Sequence, residues 1–286
     1  PANSNEVLLA EIAQKTSVGF KALNNDLSTI SRPLNRLRIG MYQRYLGGNM
    51  DEGWTRLLLE TFEFPYTSLK DKEIKAGELK RKYDVIILPD DNLSRMTGEN
   101  MSDGAKRRWE SYPPEYRSGF GKEGVDALKV FVEQGGTLLT FGEAGELPIK
   151  EFKLPIRNVV ENVSSKDFWS PGSTLKLNID NDNSLAYGMP ETGLALFLSN
   201  NDVYQVIPTA MNHQVERIVT FVKRDILQSG WLIGEDVIAE KAAMVSVNMN
   251  KGKVVLIGFR PQHSVQTHGT FKLVFNSLLS GNAPTN

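Results

Sequence analysis

A glycine-rich turn after a buried strand, near the middle of the sequence, limits the folds that this chain can adopt. Thr137–Phe141 has the composition of a strand, and the four residues that follow are Gly-Glu-Ala-Gly. A buried strand that breaks into a sharp turn is typical of α/β proteins, where such a turn often exposes a nucleophile. Here the corresponding position is Glu143. Because the chain contains no cysteine, a thiol mechanism is excluded.

Strand-like and helix-like segments alternate through the first half of the chain. The pattern predicts strands at 38–42, 66–69, 83–88 and 137–141, and helices at 49–62, 71–81 and 123–134. Alternation of this kind favours right-handed crossovers and a mainly parallel sheet with helices on both faces. The sequence therefore predicts a three-layer α/β domain in which the strands at 38–42, 83–88 and 137–141 are neighbours.

The first of these helices has clear sequence signals. Asn49 or Asp51 can cap its free backbone amides. Apolar side chains at helical spacing then predict a single buried face. These side chains are Trp54, Leu57, Leu58 and Phe62.

The second half of the chain has a different sequence pattern. From about residue 154 to 250, short alternating segments are separated by Asn, Asp, Gly and Pro, which indicates antiparallel strands added to the same sheet. The chain then returns with an apolar strand at 252–259 and a final helix containing Phe271 and Leu278. Residues 90–122 show no regular pattern and are predicted to form a long irregular segment.

Composition argues against several functional classes. The net charge is −1 and no basic block accompanies the aromatic residues, so nucleic-acid binding is not expected. No apolar run approaches the roughly 20 residues that span a bilayer. Residues 1–36 are predicted to be a leader helix, over 5–24, and a linker. The first residues lack a signal-peptide pattern. Because the sequence does not begin with Met, it is expected to be processed or cut from a longer protein.

Several segments resemble the C-terminal half of large bacterial secreted zinc carboxypeptidases, over about residues 37–280. These segments are Asn49–Arg56, Tyr83–Pro89, Tyr112–Gly119, Leu185–Pro190, Gly258–His263 and Thr267–Lys272. In that family, a metallopeptidase domain of the carboxypeptidase A type precedes a flavodoxin-like domain of the class I glutamine amidotransferase type. The resemblance implies an α/β domain over residues 37–286, a periplasmic or secreted location, and the peptidase domain as partner.

The resemblance also bears on metal binding. The family's zinc site uses a His-x-x-Glu pair and a later histidine, but the histidines of this chain are His213, His263 and His268, without a His-x-x-Glu. The resemblance therefore implies that zinc belongs to a preceding peptidase domain. No cofactor or metal is expected in this chain.

Arg260, His263 and His268 form one candidate site, since they lie between a strand and a helix. With the amides of the helix start they could bind an anion or a carboxylate. Alternatively, the two histidines only cap and brace the final helix. A metal site is disfavoured because two histidines are an incomplete ligand set. We also expect Glu143, Arg260 and His263 to converge at one edge of the sheet.

Two further candidates lie elsewhere. Glu143 could act as a general base or pair with His263 or His268. Because no nucleophile lies beside it, we favour a vestigial turn in which Glu143 is an ion-paired or solvated carboxylate. In the segment 90–122, the ligand-binding candidates Trp109, Tyr112 and Tyr116 could grip a peptide, a glycan or another domain together with arginines. They could equally serve only as packing.

Three functional hypotheses follow from these residues. The favoured one is a non-catalytic domain that supports or regulates an attached zinc carboxypeptidase. The alternatives are an autonomous hydrolase that uses Glu143 with a histidine, and a carbohydrate- or peptide-binding module built on the aromatic segment.

Overall fold

A computed structural model of the chain describes residues 6–21, 36–198, 201–208 and 214–282. The chain divides into two compact units, residues 1–35 and 36–286. In the first unit, α1 (Glu6–Thr16) is shorter than the predicted helix, because residues 17–21 are not helical and Ser17 has a left-handed backbone (φ 57°). The end of that predicted helix and the linker after it lie outside the described residues.

One mixed sheet forms the centre of the second unit. Its strands are β1 (Ile39–Tyr42), β2 (Tyr66–Leu69), β3 (Val85–Leu88), β4 (Thr137–Phe141), β5 (Ile156–Asn158), β6 (Gly172–Ile179), β7 (Thr192–Leu198), β8 (Tyr204–Val206), β9 (Val215–Phe221), β10 (Leu227–Ser229), β11 (Ala242–Met249) and β12 (Gly252–Ile257).

Five neighbouring strands make the parallel half of the sheet. They lie in the order β2-β1-β3-β4-β12, and every pair in this row is parallel. This is the strand order of flavodoxin-like folds, with β12 in the fifth position. The expectation that β1, β3 and β4 are parallel neighbours is confirmed.

The antiparallel half continues the same sheet from β12. The main row runs β12-β11-β9-β6-β10, and β7, β8 and β5 attach beside it. All of these pairs are antiparallel, which confirms the predicted β extension. The strand β12 thus has a parallel neighbour on one side and an antiparallel neighbour on the other.

The second unit also contains α-helices, some of which cover the two faces of the parallel half. The helices are α2 (Met50–Thr61), α3 (Asp71–Lys75), α4 (Leu79–Lys82), α5 (Leu93–Thr97), α6 (Asp103–Glu110), α7 (Gly121–Glu133), α8 (Glu146–Glu151), α9 (Glu235–Ile238) and α10 (Phe271–Leu279).

Two apolar cores lie on opposite faces of the sheet, because successive residues of a strand point to opposite sides. On one face, Val85 and Ile87 pack in a cluster that includes residues of α2 and α10. On the other face, Ile86 and Leu88 pack in a cluster that includes residues of α7. All four residues of β3 are fully buried. The three-layer α/β arrangement is therefore confirmed.

The predicted buried face of α2 is wrong in part. Leu57 and Phe62 are 50% and 48% exposed, whereas Asp51, Glu52 and Thr55 are buried together with Leu58 and Leu59. The first turns of α2 face polar groups at the edge of the sheet, so the buried face is shifted from the one that apolar spacing predicts, although it includes Leu58. The predicted cap is confirmed, since Asn49 accepts hydrogen bonds from the backbone amides of Asp51 and Glu52.

Two other segments also differ from expectation. The helix predicted at 71–81 is interrupted by the left-handed Gly77 (φ 70°) and Glu78 (φ 50°), which separate α3 from α4. The segment 90–122, expected to be irregular, contains α5 and α6, both of which begin at a side-chain cap. Short helices with few apolar positions give little periodic signal in the sequence.

Candidate functional site

A cleft of about 600 Å³ opens at the carboxyl ends of the parallel strands. In flavodoxin-like sheets the strand order reverses between the first and third strands, and ligands bind outside this point. Here the loops after β1, β3, β4 and β12 all reach that edge. Charged side chains in the cleft lining are Arg44, Asp51, Asp90, Asp91, Arg95, Glu143 and Arg260.

Arg260 is buried between two carboxylates. Its Nε lies 2.9 Å from Asp51 Oδ1, and one of its terminal nitrogens, Nη2, contacts Asp90 Oδ2. The three residues are 5–8% exposed. Asp51 belongs to the first turn of α2, Asp90 follows β3 and Arg260 follows β12. This buried ion-pair cluster therefore joins three parts of the chain that are distant in sequence.

Asp90 also holds the turn that follows β4. Its Oδ1 accepts a hydrogen bond of 2.7 Å from the backbone N–H of Glu143. Gly142 precedes Glu143 in the left-handed conformation (φ 51°), and a Cβ at this position would overlap the Asp90 carboxylate. The turn is therefore fixed by a backbone contact, while the Glu143 side chain is partly buried in the cleft lining.

A second arginine–aspartate pair adjoins the first. Arg44 Nε lies 2.5 Å from Asp91 Oδ2, and the side chains are 10% and 3% exposed. Arg44 also donates to the carbonyl oxygen of Leu46. Asn49 extends the network because its Nδ2 donates to the carbonyl oxygen of Asp90 at 3.1 Å. The loop after β1 is thereby tied to the loop after β3.

Burial is the largest influence on the pKa values of the three aspartates in the cleft. It raises the pKa of Asp90 to about 7, against the opposing charge of Arg260 and the hydrogen bond from Glu143 N–H. Burial also raises the pKa of Asp51, opposed by Arg260, and the pKa of Asp91, opposed by Arg44. The two arginines therefore offset only part of the cost of burying these carboxylates, and burial remains the larger effect on their pKa values.

His263 lies beside this cluster. Its ring packs against Trp54, with ring centroids 4.5 Å apart and planes at 63°. Burial, followed by the charge of Arg260, lowers the pKa of His263, while Asp51 acts in the opposite direction. Its Nδ1 is buried and has no hydrogen-bond partner among the described residues. His263 is therefore favoured in its neutral form at pH 7.

His268 occupies a different environment. It is exposed, and its ring lies 5.1 Å from that of Phe271 at the start of α10. This contact fits the bracing role that the sequence left open. Thr270 also anchors the helix start, because its hydroxyl donates to the carbonyl oxygen of Pro261 at 2.7 Å.

The structure brings Glu143 and Arg260 together in one cleft. His263 lies close enough to Arg260 and Asp51 for their charges to shift its pKa. However, Arg260 is already bonded to two carboxylates, so its charge is compensated within the fold. This pairing argues against the expected anion pocket of Arg260 with the two histidines. The stronger interpretation of Arg260 is a structural link across the edge of the sheet.

The aromatic candidates of the segment 90–122 mostly contact other residues of the same segment. Trp109 Nε1 donates to the carbonyl oxygen of Ser118 at 2.6 Å, and the Arg117 guanidinium lies 5.1 Å from the Trp109 ring. The carbonyl oxygen of Tyr112 accepts a hydrogen bond from Arg117 Nε. Tyr116 is 52% exposed. These contacts order the segment, and they leave Tyr116 as the most accessible of the three rings.

Sequence reasoning missed Arg44, Asp90 and Asp91 as site residues. Asp90 and Asp91 follow the strongest predicted strand after a single proline, and Arg44 comes two residues after β1. Because parallel strands end at the same edge of a sheet, these positions were available from the pattern. What the pattern lacks is the pairing between Arg260 and Asp90, which are 170 residues apart.

In the part of the chain that the structure describes, no group of three or more His, Asp or Glu side chains is placed to hold a metal ion. Within the same residues, no helix has both the length and the apolar character needed to cross a bilayer.

Comparison with known proteins shows similarity at the level of fold. A glutamine amidotransferase from Thermotoga maritima superposes with a TM-score of 0.51 at 9% identity, covering 87% of this chain and 100% of that one. A putative GMP synthase component from Thermoplasma acidophilum gives 0.50 at 9%, covering 86% and 94%. A cytoplasmic protein from Salmonella typhimurium gives 0.51 at 12%, covering 85% and 97%.

No protein-family model and no curated protein sequence matches the chain. These three structures are 9–12% identical to the chain, so they establish architecture and not activity. Together with the strand order and the glycine turn after β4, they show that the chain has a flavodoxin-like fold of the class I glutamine amidotransferase type.

Proposed function

We propose that this chain is a non-catalytic, amidotransferase-like accessory domain. The observation that carries the proposal is the buried cluster of Asp51, Asp90 and Arg260 beneath the turn that presents Glu143. A thiol acyl-transfer enzyme needs a cysteine at such a turn and a base to activate it. Here the turn carries a carboxylate, and the charged groups below it are engaged with one another.

We further propose that the parent protein is a zinc carboxypeptidase, with its peptidase domain on the N-terminal side of this one. The support is the resemblance of the segments Asn49–Arg56, Tyr83–Pro89 and Gly258–His263 to that family. On this proposal the zinc and its His-x-x-Glu pair reside in the peptidase domain, the parent is periplasmic or secreted, and this domain needs no cofactor.

The accessory role has a direct test. The peptidase domain would be produced separately, and its hydrolysis of a C-terminal residue measured with and without a molar excess of this chain. We expect added chain to change kcat/KM or the thermal stability of the peptidase domain. If neither changes and the two proteins do not associate, the accessory role is wrong.

The parentage is tested at the level of the gene. The coding sequence upstream of residue 1 is expected to encode a domain with His-x-x-Glu and a later histidine. A different upstream domain, or none, would remove the peptidase from the proposal.

The lack of catalysis is tested on this chain alone. Ammonia release from glutamine should not exceed that of buffer, since no thiol is present to form the acyl intermediate. Turnover that disappears in a Glu143→Gln variant would contradict the proposal and favour the autonomous hydrolase.

A further inference from the structure

A second cleft, of about 610 Å³, adjoins the first on the side of α5 and α6. It shares Arg44, Gly47, Asn92 and Arg95 with the lining of the first cleft. It therefore lies beside the point between β1 and β3 where flavodoxin-like sheets bind ligands.

The charge of this second cleft is one-sided. Arg44, Arg95 and Arg108 line it, and no Asp or Glu is among its described lining residues. Arg44 is neutralised by Asp91. Arg95 and Arg108 are exposed, and neither forms an ion pair in the described part of the chain, while the charge of Arg95 acts to lower the pKa of Asp91 in the adjoining cleft. Two guanidinium groups are thus available to a ligand in the cleft.

Further features of the wall suit an anionic group. Ser102, Gly104 and Ala105 bring the amino end of α6 to the cleft; the Ser102 hydroxyl accepts from the Ala105 amide, and the acidic Asp103 lies in the same turn but does not line the cleft. The start of a helix carries partial positive charge and unpaired backbone amides. Ser94 contributes a hydroxyl from α5. Arginine forks bind carboxylate and phosphate oxygens with paired hydrogen bonds.

The rest of the lining suits an apolar ligand part. Met101 and Trp109 are both partly buried at the cleft. The Trp109 ring is held in place because its Nε1–H is bonded to the carbonyl oxygen of Ser118. A fixed aromatic ring offers contact area at little cost in conformational entropy.

Hydrogen bonds and close backbone contacts hold both walls of the cleft in place. Ser118 is 3% exposed, and its hydroxyl accepts a hydrogen bond of 2.6 Å from Leu46 N, so the loop after β1 is fastened to the segment after α6. Gly98 and Gly119 bring their backbones into close contact, which packs this segment onto α5. Both walls therefore belong to the ordered domain.

We propose that this cleft binds a small organic anion, with a carboxylate or phosphate held by Arg95 and Arg108 and an apolar part against Trp109 and Met101. The proposal goes beyond the accessory function and does not depend on it. An accessory domain and an autonomous hydrolase could each bind such a ligand.

The test uses the full chain and two probes, phenyl phosphate and 3-phenylpropionate, titrated separately by calorimetry at low and moderate salt. We expect at least one probe to bind with one-to-one stoichiometry. The probe with the lower Kd shows whether the cleft prefers a phosphate or a carboxylate. Added salt should weaken binding, because the two arginines are exposed.

Variants then locate the site. Arg95→Ala and Arg108→Ala should each raise Kd by about tenfold, as expected for loss of a charge-assisted hydrogen bond. Arg107→Ala is the matched control, since Arg107 is exposed on the same helix but does not line the cleft. Its Kd should stay within about twofold of the original.

Two results would overturn the proposal. One is the absence of saturable binding of both probes. The other is equal weakening by Arg107→Ala and Arg108→Ala, which would show attraction to general positive charge. Circular dichroism of each variant checks that it still folds. Arg95→Lys keeps the positive charge, so it should lose less affinity for the probe than Arg95→Ala.

Discussion

The Oδ1 atom of Asp90 accepts a 2.7 Å hydrogen bond from the backbone N–H of Glu143. Through this bond, the loop after β3 fixes the turn after β4. The other oxygen of the same carboxylate contacts Arg260 after β12. One side chain thus aligns the ends of three neighbouring parallel strands.

Gly142→Ala should destabilise the fold. The residue is left-handed (φ 51°), and the new Cβ would overlap the Asp90 carboxylate. We expect a loss on the order of 2 kcal/mol or more in the free energy of unfolding, measured by urea titration. Gly53→Ala is the control, since open space surrounds Gly53 in α2; it should stabilise the helix by up to about 1 kcal/mol. Equal effects of the two changes would contradict the account of the turn.

Arg260→Ala should be more costly. It leaves Asp51 and Asp90 buried without their partner, and breaking a buried ion pair on one side typically costs about 3–5 kcal/mol. Arg81→Ala is the matched control, because Arg81 pairs with Glu78 on the surface with both side chains more than two-thirds exposed. That change should cost less than about 1 kcal/mol. A mild effect of Arg260→Ala would show that the cluster is not a structural link.

The stability of the protein should fall as pH rises from about 4 to 7. In the folded state Asp90 keeps its proton up to a pKa of about 7, whereas in the unfolded chain it ionises near its ordinary value of 3.8. The folded state therefore binds more protons in this window, so rising pH favours unfolding. The difference corresponds to a contribution on the order of 4 kcal/mol.

Asp90→Asn isolates this contribution. The slope of unfolding free energy against pH should be smaller in the variant than in the original protein between pH 4 and 7. Part of the slope should persist, because the pKa values of Asp51, Asp91 and Asp202 are also raised by burial. Identical slopes in urea titrations at pH 4, 5.5 and 7 would show that Asp90 does not titrate in this range.

Asn49→Ala should lose both a helix cap and a bond between loops. Asn49 accepts from the amides of Asp51 and Glu52 and donates to the carbonyl oxygen of Asp90. We expect a cost of about 2 kcal/mol in thermal or urea unfolding. Ser102→Ala removes only an exposed cap of α6, with one hydrogen bond of 3.4 Å, and should cost about 0.5 kcal/mol. If the two variants lose the same stability, the bond to Asp90 contributes nothing.

The fold was predictable where local signals were strong. The strands Tyr66–Leu69 and Thr137–Phe141 occur at their predicted bounds, because continuous apolar or β-branched runs between turn signals have few alternatives. The face of α2 was not predictable from spacing alone, since Leu57 and Phe62 fit the helical period yet are about half exposed. Which side a helix buries depends on the tertiary neighbours, here the polar cluster at the start of α2.

The candidate site was predictable only in outline. The topology argument correctly indicated one edge of the sheet, and it named Glu143 and Arg260. It assigned Arg260 to a ligand because nothing local signals that Asp51 and Asp90 will surround it. Such pairings join residues more than a hundred positions apart, and a single sequence carries no record of that proximity.

The position of β12 has a consequence for how the protein is made. This strand pairs with β4 on one side and β11 on the other, yet it is the last strand to be synthesised among those that the structure describes. During translation, the two halves of the sheet remain unconnected until residue 257 has left the ribosome. The edges of β4 and β11 stay open for association until then. Sheet closure by such long-range pairing is intrinsically slow, so the two halves of the sheet join late in the synthesis of the chain.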